Sequence, residues 1–436
     1  MESDVAVGVE IPSGVKMHAL ATRLFPICRS ITGDGVRKTL KILSEQIPLE
    51  IFEVPSGTQV FDWEVPREWN ITDAYIKNAA GERVIDFANS NLHVLNYSIP
   101  VNQRVSLEEL RRHLYYLEDH PDWIPYRTSY YKEDWGFCVT YNQYQQLNDP
   151  YYEVCIASTL ESGSLTYGEY FIPGKVKDEV LISAHVCHPS LANDNLSGLA
   201  VVCALARTLS ARSNHYSYRF VFVPGTIGAI TWLAQNELRA RGVRFGLVAS
   251  LLGDKGVFTY KRSRRGDTEI DQIAEYVLKL RSDANKVIDF FPYGYDERQY
   301  CSPGFNLAVG CLSRTPFGQY PEYHTSADDL SLITPESMEE SYEVYLEILT
   351  TLDQNRTYVN TSPNCEPQLG KRGLYSLKGG NNDVKAFQMA LLWTLNLTSG
   401  EYSLFDIARR SKTDFKVIRE AASRLEEAGL LRLADE

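Results

Sequence analysis

Apolar runs and amphipathic stretches alternate along residues 154–355, and this alternation predicts the fold of the region. Short continuous apolar runs are typical of buried strands, whereas apolar residues at helical spacing predict helices packed on a sheet. Strands and helices in alternation indicate an α/β domain with a mainly parallel sheet flanked by helices. The predicted strands span 180–184, 219–223, 247–252 and 307–312, and the predicted helices span 196–209, 226–241, 269–280 and 335–352.

The pattern changes on both sides of this region. Residues 14–47 have helical spacing interrupted at 25–35, and residues 58–155 carry short β-type runs separated by turn residues. We therefore predict an α/β domain formed by residues 1–57 and 156–357, a mostly β domain inserted at 58–155, and a third domain at 358–436. The β-type runs of the insert lie at 60–63, 74–76, 92–97 and 136–139, with a helix beginning near Ser106.

The tail, residues 403–433, has the pattern of a winged helix-turn-helix: helix, turn, helix and a short strand. Two apolar stripes and a glycine at the end of the second helix support this prediction. Residues 361–436 hold eleven Lys/Arg and ten Asp/Glu, whereas a DNA-reading domain is usually more basic. We therefore favour a packing or oligomerisation role over DNA binding, which leaves a homo-oligomer open. The stripes comprise Leu404, Ile407 and Ala408, then Phe415, Ile418, Ala422 and Leu425.

Charge and composition narrow the class of protein. The chain has 436 residues and a net charge of -12, which argues against phosphate binding by the whole surface. No apolar run approaches the roughly 18 residues that a membrane helix needs, and the first residues lack the pattern of a signal peptide. The eight cysteines include no CxxC pair. We expect reduced thiols, a cytoplasmic location and no membrane partner.

Candidate ligands cluster where the first predicted strand of the α/β region ends. The stretch SAHVCHPSLANDNLSGLA, 183–200, places His185, Cys187, His188 and Asp194 within ten residues. In parallel sheets, ligands bind beyond the carboxyl ends of strands. Imidazole and carboxylate groups there suit a cation such as Zn²⁺. Taken alone, the stretch fits a metal site and a polar structural loop about equally well.

Two later segments carry further candidates. EYHTSADDL, 322–330, contains a histidine followed by a turn and paired aspartates, and YGYDERQYCSPG, 293–304, is dense in polar and aromatic residues. Substrate-facing loops often have this composition, although each segment alone also fits a solvated loop. We expect Asp296, Arg298, Tyr300 and Tyr323 to face a substrate.

Together these segments resemble the di-zinc aminopeptidase family, which includes bacterial leucyl-type aminopeptidases and glutaminyl cyclases. The chain is most similar to a bacterial aminopeptidase-like branch with a β-rich domain inserted in the catalytic domain and a C-terminal winged helix. The resemblance covers nearly the whole chain. It rests most specifically on HVCHPSLANDNLSG, DERQYCSPG and EYHTSADDL. It implies an aminopeptidase-like fold for the α/β domain.

The resemblance also implies a set of metal ligands. His185 matches the first ligand histidine, Asp194 matches the carboxylate that bridges two metals, and His324 matches the distal ligand of the second metal. Asp254 is the candidate for the remaining carboxylate of the first metal, by position only. His188 has no counterpart in the wider family, but it lies three residues from His185 and could replace a ligand.

The chain departs from the wider family at two places. Cys187 stands where the family has an aspartate that supports the ligand histidine. Gly225 and Thr226 stand where the family has two consecutive glutamates, of which the first accepts a proton from the attacking water and the second binds a metal. Losing the second carboxylate leads us to expect one zinc ion rather than two.

Three functions follow, in order of preference. The first is a metal-dependent hydrolase acting on the amide bond of a small-molecule or peptide-like substrate that carries an amine, weakened or altered by Gly225. Glu297, Glu322 or Asp296 could replace the missing base, and Glu297 or Glu322 could hold the amine. The second is a biosynthetic enzyme on the same scaffold that forms an amide bond, cyclises its substrate or transfers an acyl group. The third is a non-catalytic binding module.

Overall fold

In the computed structural model, which describes residues 13–374 and 381–434, the chain forms two compact units that divide between Leu346 and Glu347. The predicted insert at 58–155 lies in the first unit with the α/β region, so the boundaries drawn from sequence within this unit remain predictions. The helices are α1 Gly14–Leu24, α2 Asp34–Ser44, α3 Leu107–Arg112, α4 Tyr141–Gln146, α5 Gly198–Ser210, α6 Ile227–Gln235, α7 Glu237–Ala240, α8 Glu269–Arg281, α9 Glu297–Tyr300, α10 Pro335–Gln354, α11 Asn381–Leu397, α12 Leu404–Ser411 and α13 Phe415–Glu427.

The strands form one large sheet in the α/β region and smaller sheets elsewhere. They are β1 Glu50–Pro55, β2 Gln59–Val60, β3 Trp63–Glu64, β4 Glu68–Lys77, β5 Arg83–Asp86, β6 Val101–Ser106, β7 Leu114–Tyr115, β8 Phe137–Cys138, β9 Tyr151–Glu161, β10 Ser164–Ile172, β11 Glu179–His185, β12 Ser217–Val223, β13 Val243–Ala249, β14 Thr259–Lys261, β15 Lys286–Ile288, β16 Val309–Ser313, β17 Thr357–Asn360, β18 Ser399–Ser403 and β19 Leu431–Leu433.

The large sheet has the strand order β1-β10-β12-β11-β13-β16-β14-β15. At its centre β11 runs parallel to β12 and to β13, and every residue of β11 and β12 is buried. Central parallel strands are covered on both faces, which explains their continuous apolar sequence. The predicted mainly parallel α/β fold is confirmed, and the carboxyl ends of β11, β12 and β13 open at one edge of the sheet.

Residues 68–161, which include most of the predicted insert, contain a four-stranded antiparallel sheet, β5-β4-β9-β6. Its long strand β9 is followed after two residues by β10, which belongs to the large sheet, so the two sheets are continuous along the chain. The strand predicted at 92–97 is wrong. Val94 and Asn96 form isolated bridges of opposite direction with Phe137 and Thr128, so no continuous ladder develops there.

The second unit has the predicted winged-helix pattern. Helices α11, α12 and α13 accompany the three-stranded sheet β18-β17-β19. Capping boxes or side-chain caps begin α12 and α13, at Ser403 and Asp414. Both predicted apolar stripes are buried, which confirms the helix-turn-helix prediction.

None of the helices in the described part of the chain combines the length and the apolar character needed to cross a membrane.

Candidate metal centre

The centre is built around the end of the central strand. His185 is the last residue of β11 and is 2% exposed. The chain then crosses to a wound turn at Ala192–Ser197 that leads into α5, and in this turn Asp194 and Asn195 leave helical dihedral angles. The departure turns the Asp194 side chain back towards the strand end. All six residues of the turn are buried, so the Asp194 carboxylate is enclosed by protein.

Three histidines converge on the Asp194 carboxylate. Nε2 of His185 lies 2.8 Å from Oδ1, while Nε2 of His324 lies 3.0 Å and Nε2 of His188 lies 3.9 Å from Oδ2. Candidate ligand atoms of His185, His188 and Asp194 all lie within 4.8 Å of one another. The structure therefore brings together four of the five residues proposed as ligands from the sequence.

The fifth, Asp254, lies elsewhere in the hydrogen-bond network. Its Oδ1 accepts hydrogen bonds from the backbone N of Gly256 at 2.6 Å and from Oγ1 of Thr315 at 2.6 Å. Its Oδ2 accepts one from Nδ2 of Asn193 at 3.0 Å. Both oxygens are thus engaged in holding loops, and the structure does not place Asp254 with the three histidines.

Asp328 fixes the position of Asp194, a role that the sequence argument missed. Its buried carboxylate accepts hydrogen bonds from the backbone N of Asn193 at 2.6 Å and of Asp194 at 3.1 Å. It follows His324 by four residues, so one loop supplies both a candidate ligand and the anchor of the shared carboxylate. The signal in the sequence was the aspartate pair of EYHTSADDL, which had been noted without a role.

The His324 loop is paired with a segment of the insert. The backbone N of Tyr126 donates to the carbonyl of His324 at 2.7 Å, and the backbone N of Ser326 donates to the carbonyl of Ile124 at 2.8 Å. The backbone N of Ile124 donates in turn to Oγ of Ser326 at 2.9 Å. His324 itself has φ +56°, a left-handed conformation that is uncommon outside glycine. The insert therefore holds this histidine in a conformation that it would seldom adopt alone.

Aromatic rings wall the centre. Tyr295 stacks on His185 with ring centroids 4.8 Å apart, and Tyr323 stacks on His324 at 4.0 Å. Tyr126 meets His188 and His324 edge-on. Packing of this kind limits imidazole rotation, so the candidate ligands are held in place by the fold.

Burial decides the charge of the groups in the centre. Burial lowers the pKa of His188 to about 3, so its imidazole is neutral at neutral pH. Burial alone would raise the pKa of Asp194, but the neighbouring imidazoles outweigh it and hold that pKa well below its usual range. Burial raises the pKa of the Cys187 thiol, which donates to the carbonyl of Gly225 at 3.7 Å. An ionised Asp194 beside a neutral His188 is the protonation state that metal ligation requires.

These donors fit a zinc ion. Imidazole nitrogen with carboxylate oxygen is a common zinc ligand set, and a buried anion surrounded by imidazoles has few other means of stabilisation. His185, His188 and Asp194 are the residues that would hold the ion, and His324 contacts the second oxygen of the same carboxylate.

Gly225 lies directly beside this centre. It follows β12, and a Cβ added to it would lie 3.2 Å from Cβ of His185 and 3.4 Å from Oδ1 of Asp296. The position where the resemblance leads one to expect a base therefore faces the centre but carries no side chain. Thr226, the neighbouring departure, supplies no carboxylate either.

Other predicted site residues lie in different surroundings. Glu297 is buried and pairs with Nζ of Lys261 at 2.8 Å. Tyr300 is fully buried, and its hydroxyl lies 2.9 Å from Oγ of Ser183 within the sheet, away from any surface. Arg298 lies over the exposed ring of Tyr293. Of the residues expected to face a substrate, Tyr323 and Asp296 are the ones beside the centre.

Similarity to known proteins extends along almost the whole chain. Residues 18–355 match a family described as a domain of unknown function, DUF4910, and residues 356–433 match a winged helix-turn-helix family. A protein of Clostridium acetobutylicum is 51% identical over 421 residues, which are 97% of this chain and 97% of that protein. It is provisionally named a polysaccharide biosynthesis protein with an aminopeptidase-like domain.

Solved structures agree on the fold. A crystal structure from Clostridium acetobutylicum, of a protein provisionally described as a peptidase, is 50% identical with a TM-score of 0.91 and covers 96% of each chain. A zinc aminopeptidase from Bacillus subtilis is 11% identical with a TM-score of 0.58, covering 79% of this chain and 96% of that one. At this identity the second likeness concerns the fold alone. The aminopeptidase-like fold and the family resemblance inferred from the sequence are confirmed.

Proposed function

We propose that this chain, which belongs to the DUF4910 family, is a metal-dependent hydrolase. The proposed reaction is cleavage of the amide bond of a small amine-bearing substrate. The observation that carries the proposal is the convergence of three imidazoles on the single buried carboxylate of Asp194. His185, His188 and Asp194 would hold a zinc ion, which would supply a Lewis acid for an amide carbonyl. The aminopeptidase-like fold of the relatives supports the same class of reaction.

We propose one ion rather than two. The carboxylate that would complete a second position is replaced by Thr226, and Asp254 is engaged by Gly256, Thr315 and Asn193. The remaining donors His185, His188 and Asp194 form a single group, and His324 contacts the second oxygen of the same carboxylate.

The chain's own residues provide the walls and the anchor for the substrate. Tyr295 and Tyr323 flank the histidines and present apolar ring faces to a small molecule. Glu322, partly exposed beside Tyr323, is the proposed partner of the substrate's ammonium group, because the other carboxylate considered, Glu297, already pairs with Lys261.

The first test is metal content per chain. We expect about one zinc ion in protein purified without added metal, and its loss in His185→Ala and in His188→Ala. His120→Ala is the matched control, because this histidine stacks on Trp123 outside the centre and its removal should leave the metal in place. Zinc-loaded protein should hydrolyse aminoacyl-arylamides, a chelator should suppress the activity, and Zn²⁺ or Mn²⁺ should restore it. Absence of metal even after zinc soaking would contradict the proposal.

The second candidate is an acyl-transfer or amide-forming enzyme of polysaccharide biosynthesis. The name of the 51% identical relative favours it, as does the missing base at Gly225, because such an enzyme must avoid hydrolysis. A cleft of about 760 Å³ in the first unit is lined by polar residues such as Asn89, Asn91, Ser190 and Ser326, which suit a hydroxyl-rich molecule. This enzyme would keep its zinc yet turn over amides only when an amino-sugar acceptor is supplied, with the product detected by mass.

A further inference from the structure

We propose that Asp296 is the proton-accepting catalytic residue of this chain and acts across the space that the side chain of residue 225 would otherwise fill. The inference deepens the proposed amide chemistry and rests on it.

Asp296 is a buried carboxylate that stabilises no neighbouring part of the described fold by a hydrogen bond. It is 0% exposed, and neither of its oxygens accepts a hydrogen bond from the residues that the structure describes. It occupies the position before the first residue of α9 but makes no side-chain cap to that helix. Burying such a group is costly unless it is paired. An unpaired buried carboxylate lowers stability, so its presence points to a functional role. Buried titratable groups of this kind concentrate at functional sites.

The carboxylate faces the candidate centre. Oδ1 of Asp296 and Cβ of His185 lie 3.4 Å and 3.2 Å from the same point, the place of an added Cβ on Gly225. Because glycine leaves that point empty of side-chain atoms, Asp296 and the first candidate ligand border one small space. An aspartate on the neighbouring loop thus compensates for the acid missing from the end of β12.

The other candidates for the base are excluded by their surroundings. Glu297 accepts a hydrogen bond from the Lys261 ammonium at 2.8 Å, so this carboxylate is already engaged in a buried ion pair. The Cys187 thiol is turned to the carbonyl of Gly225. Glu322 precedes His324 on a partly exposed loop, where we assign it to the substrate's amine.

The acidity of Asp296 is compatible with this role. Burial raises its pKa to about 7, the charge of Glu297 acts in the same direction, and His185 and Arg298 oppose the rise. A proton carrier works best when its pKa lies near the working pH.

The proposed steps balance. The oxygen of a water molecule adds to the amide carbon while one of its protons passes to a carboxylate oxygen of Asp296. Asp296 then gives this proton to the amide nitrogen as the carbon–nitrogen bond breaks. The products are a carboxylic acid and an amine, and Asp296 is again a carboxylate. In acyl transfer the nucleophile is the hydroxyl or amine of an acceptor, and its proton follows the same route.

The first measurement compares kcat of zinc-loaded wild type and Asp296→Asn. We expect a loss of about 10²–10⁴-fold with unchanged zinc content. The matched control is Asp271→Asn, which changes an equally buried carboxylate that accepts hydrogen bonds from Tyr260, Ser263 and Thr268. That variant should lose thermal stability and keep its kcat, whereas Asp296→Asn should lose kcat without losing thermal stability at neutral pH. An active wild type whose Asp296→Asn variant is equally active would overturn the inference and leave the proposed function intact.

The second measurement does not depend on turnover. A hydroxamic acid of a small amino acid gives up its acidic proton on binding a metal, and calorimetry in two buffers of different ionisation enthalpy counts the protons that are released to the buffer. We expect almost no net release in wild type and in Asp271→Asn, where Asp296 accepts the ligand's proton, and release of about one proton in Asp296→Asn. If wild type hydrolyses no amide but shows this difference, the hydrolase proposal fails and the inference stands. Equal proton counts in wild type and Asp296→Asn would overturn the inference.

Discussion

At the scale of single residues, Asp194 is the carboxylate on which the three histidines converge, and Asp296 is the proposed proton acceptor that Gly225 cannot provide. Both are fully buried aspartates, yet their surroundings are opposite: Asp194 meets three imidazoles and Asp296 meets no hydrogen-bond donor in the described residues. The same side chain is therefore held as an anion in one place and is free to exchange a proton in the other.

The raised pKa of Asp296 predicts a pH dependence of stability in metal-free protein. The folded pKa is about 7, above the roughly 3.9 of an unfolded aspartate, so the fold binds the proton more tightly. The resulting stabilisation is fully present below about pH 4 and is lost as pH rises to about 7, up to about 4 kcal/mol in all.

Urea unfolding of chelator-treated wild type and Asp296→Asn from pH 4 to pH 8 checks this prediction. Relative to the variant, wild type should lose stability across that window, since other titrating groups cancel in the comparison. A difference that stays constant with pH would show that the Asp296 carboxyl titrates normally.

The sequence predicted the candidate ligands better than their partners. His185 and Asp194 were found because a buried strand ends there and ligands gather at such ends. Asp254 follows a strand in the same way, but its oxygens are taken by Gly256, Thr315 and Asn193, which no sequence pattern reveals. The sequence also does not reveal that Asp296 has no hydrogen-bond donor beside it among the described residues, because this depends on how distant segments pack.

At the scale of elements, an ion network joins three strands of the large sheet. Arg219 on β12 donates to Glu179 on β11 at 2.6 Å and 2.7 Å, and it also contacts Glu169 on β10. Nε1 of Trp232 on α6 donates to the second oxygen of Glu169 at 2.7 Å. The network ties the antiparallel strand β10, which the sequence analysis had not predicted, to the predicted parallel centre.

Arg219→Met should therefore destabilise the first unit. It leaves the buried Glu179 carboxylate without its cation and leaves Glu169 with only Arg239 at 3.5 Å. Breaking buried pairs of this kind costs about 3–5 kcal/mol. Arg244→Met is the control, because its pair with Asp178 is about half exposed and worth about 1 kcal/mol or less. Urea unfolding of both variants measures the difference. Equal losses would mean that the buried network contributes no more than a surface pair.

Strands with continuous apolar runs were predicted closely, whereas elements set by long-range pairing were not. β11 and β12 are self-evident in sequence because both of their faces are covered. The helix predicted at 226–241 is divided at Asn236, whose Nδ2 donates to the carbonyl of Trp232 and whose backbone leaves the helical region. Local side-chain bonding of this type competes with helix continuation.

At the scale of the whole molecule, the distribution of charge argues against DNA binding by the second unit. The chain carries a net charge of -12, and basic residues on α13 are partly engaged with acids. Nζ of Lys416 lies 3.1 Å from Glu347, and Arg424 lies 3.8 Å from Glu420. A surface so balanced offers little net attraction to phosphates.

We therefore expect the full chain to pass through a column of immobilised duplex DNA at low salt without retention. Phosphate binding releases counterions, so any specific or non-specific DNA binder should be retained at low salt and eluted as salt rises. Salt-dependent retention would contradict the expectation and would assign the winged helix to nucleic acid.

The pairing of residues 124–126 with the His324 loop also bears on how the protein assembles. Ile124 and Ser326 are 202 positions apart, so their hydrogen bond closes a loop that spans nearly half of the chain. Contacts between residues so far apart in the sequence form late in folding. Closing the loop lowers the entropy of the chain before the contact itself contributes any stabilisation. His324, which supplies one of the three imidazoles, therefore joins the centre late in folding, and a nascent chain does not hold all of its candidate ligands before residues 124–126 have paired with the His324 loop.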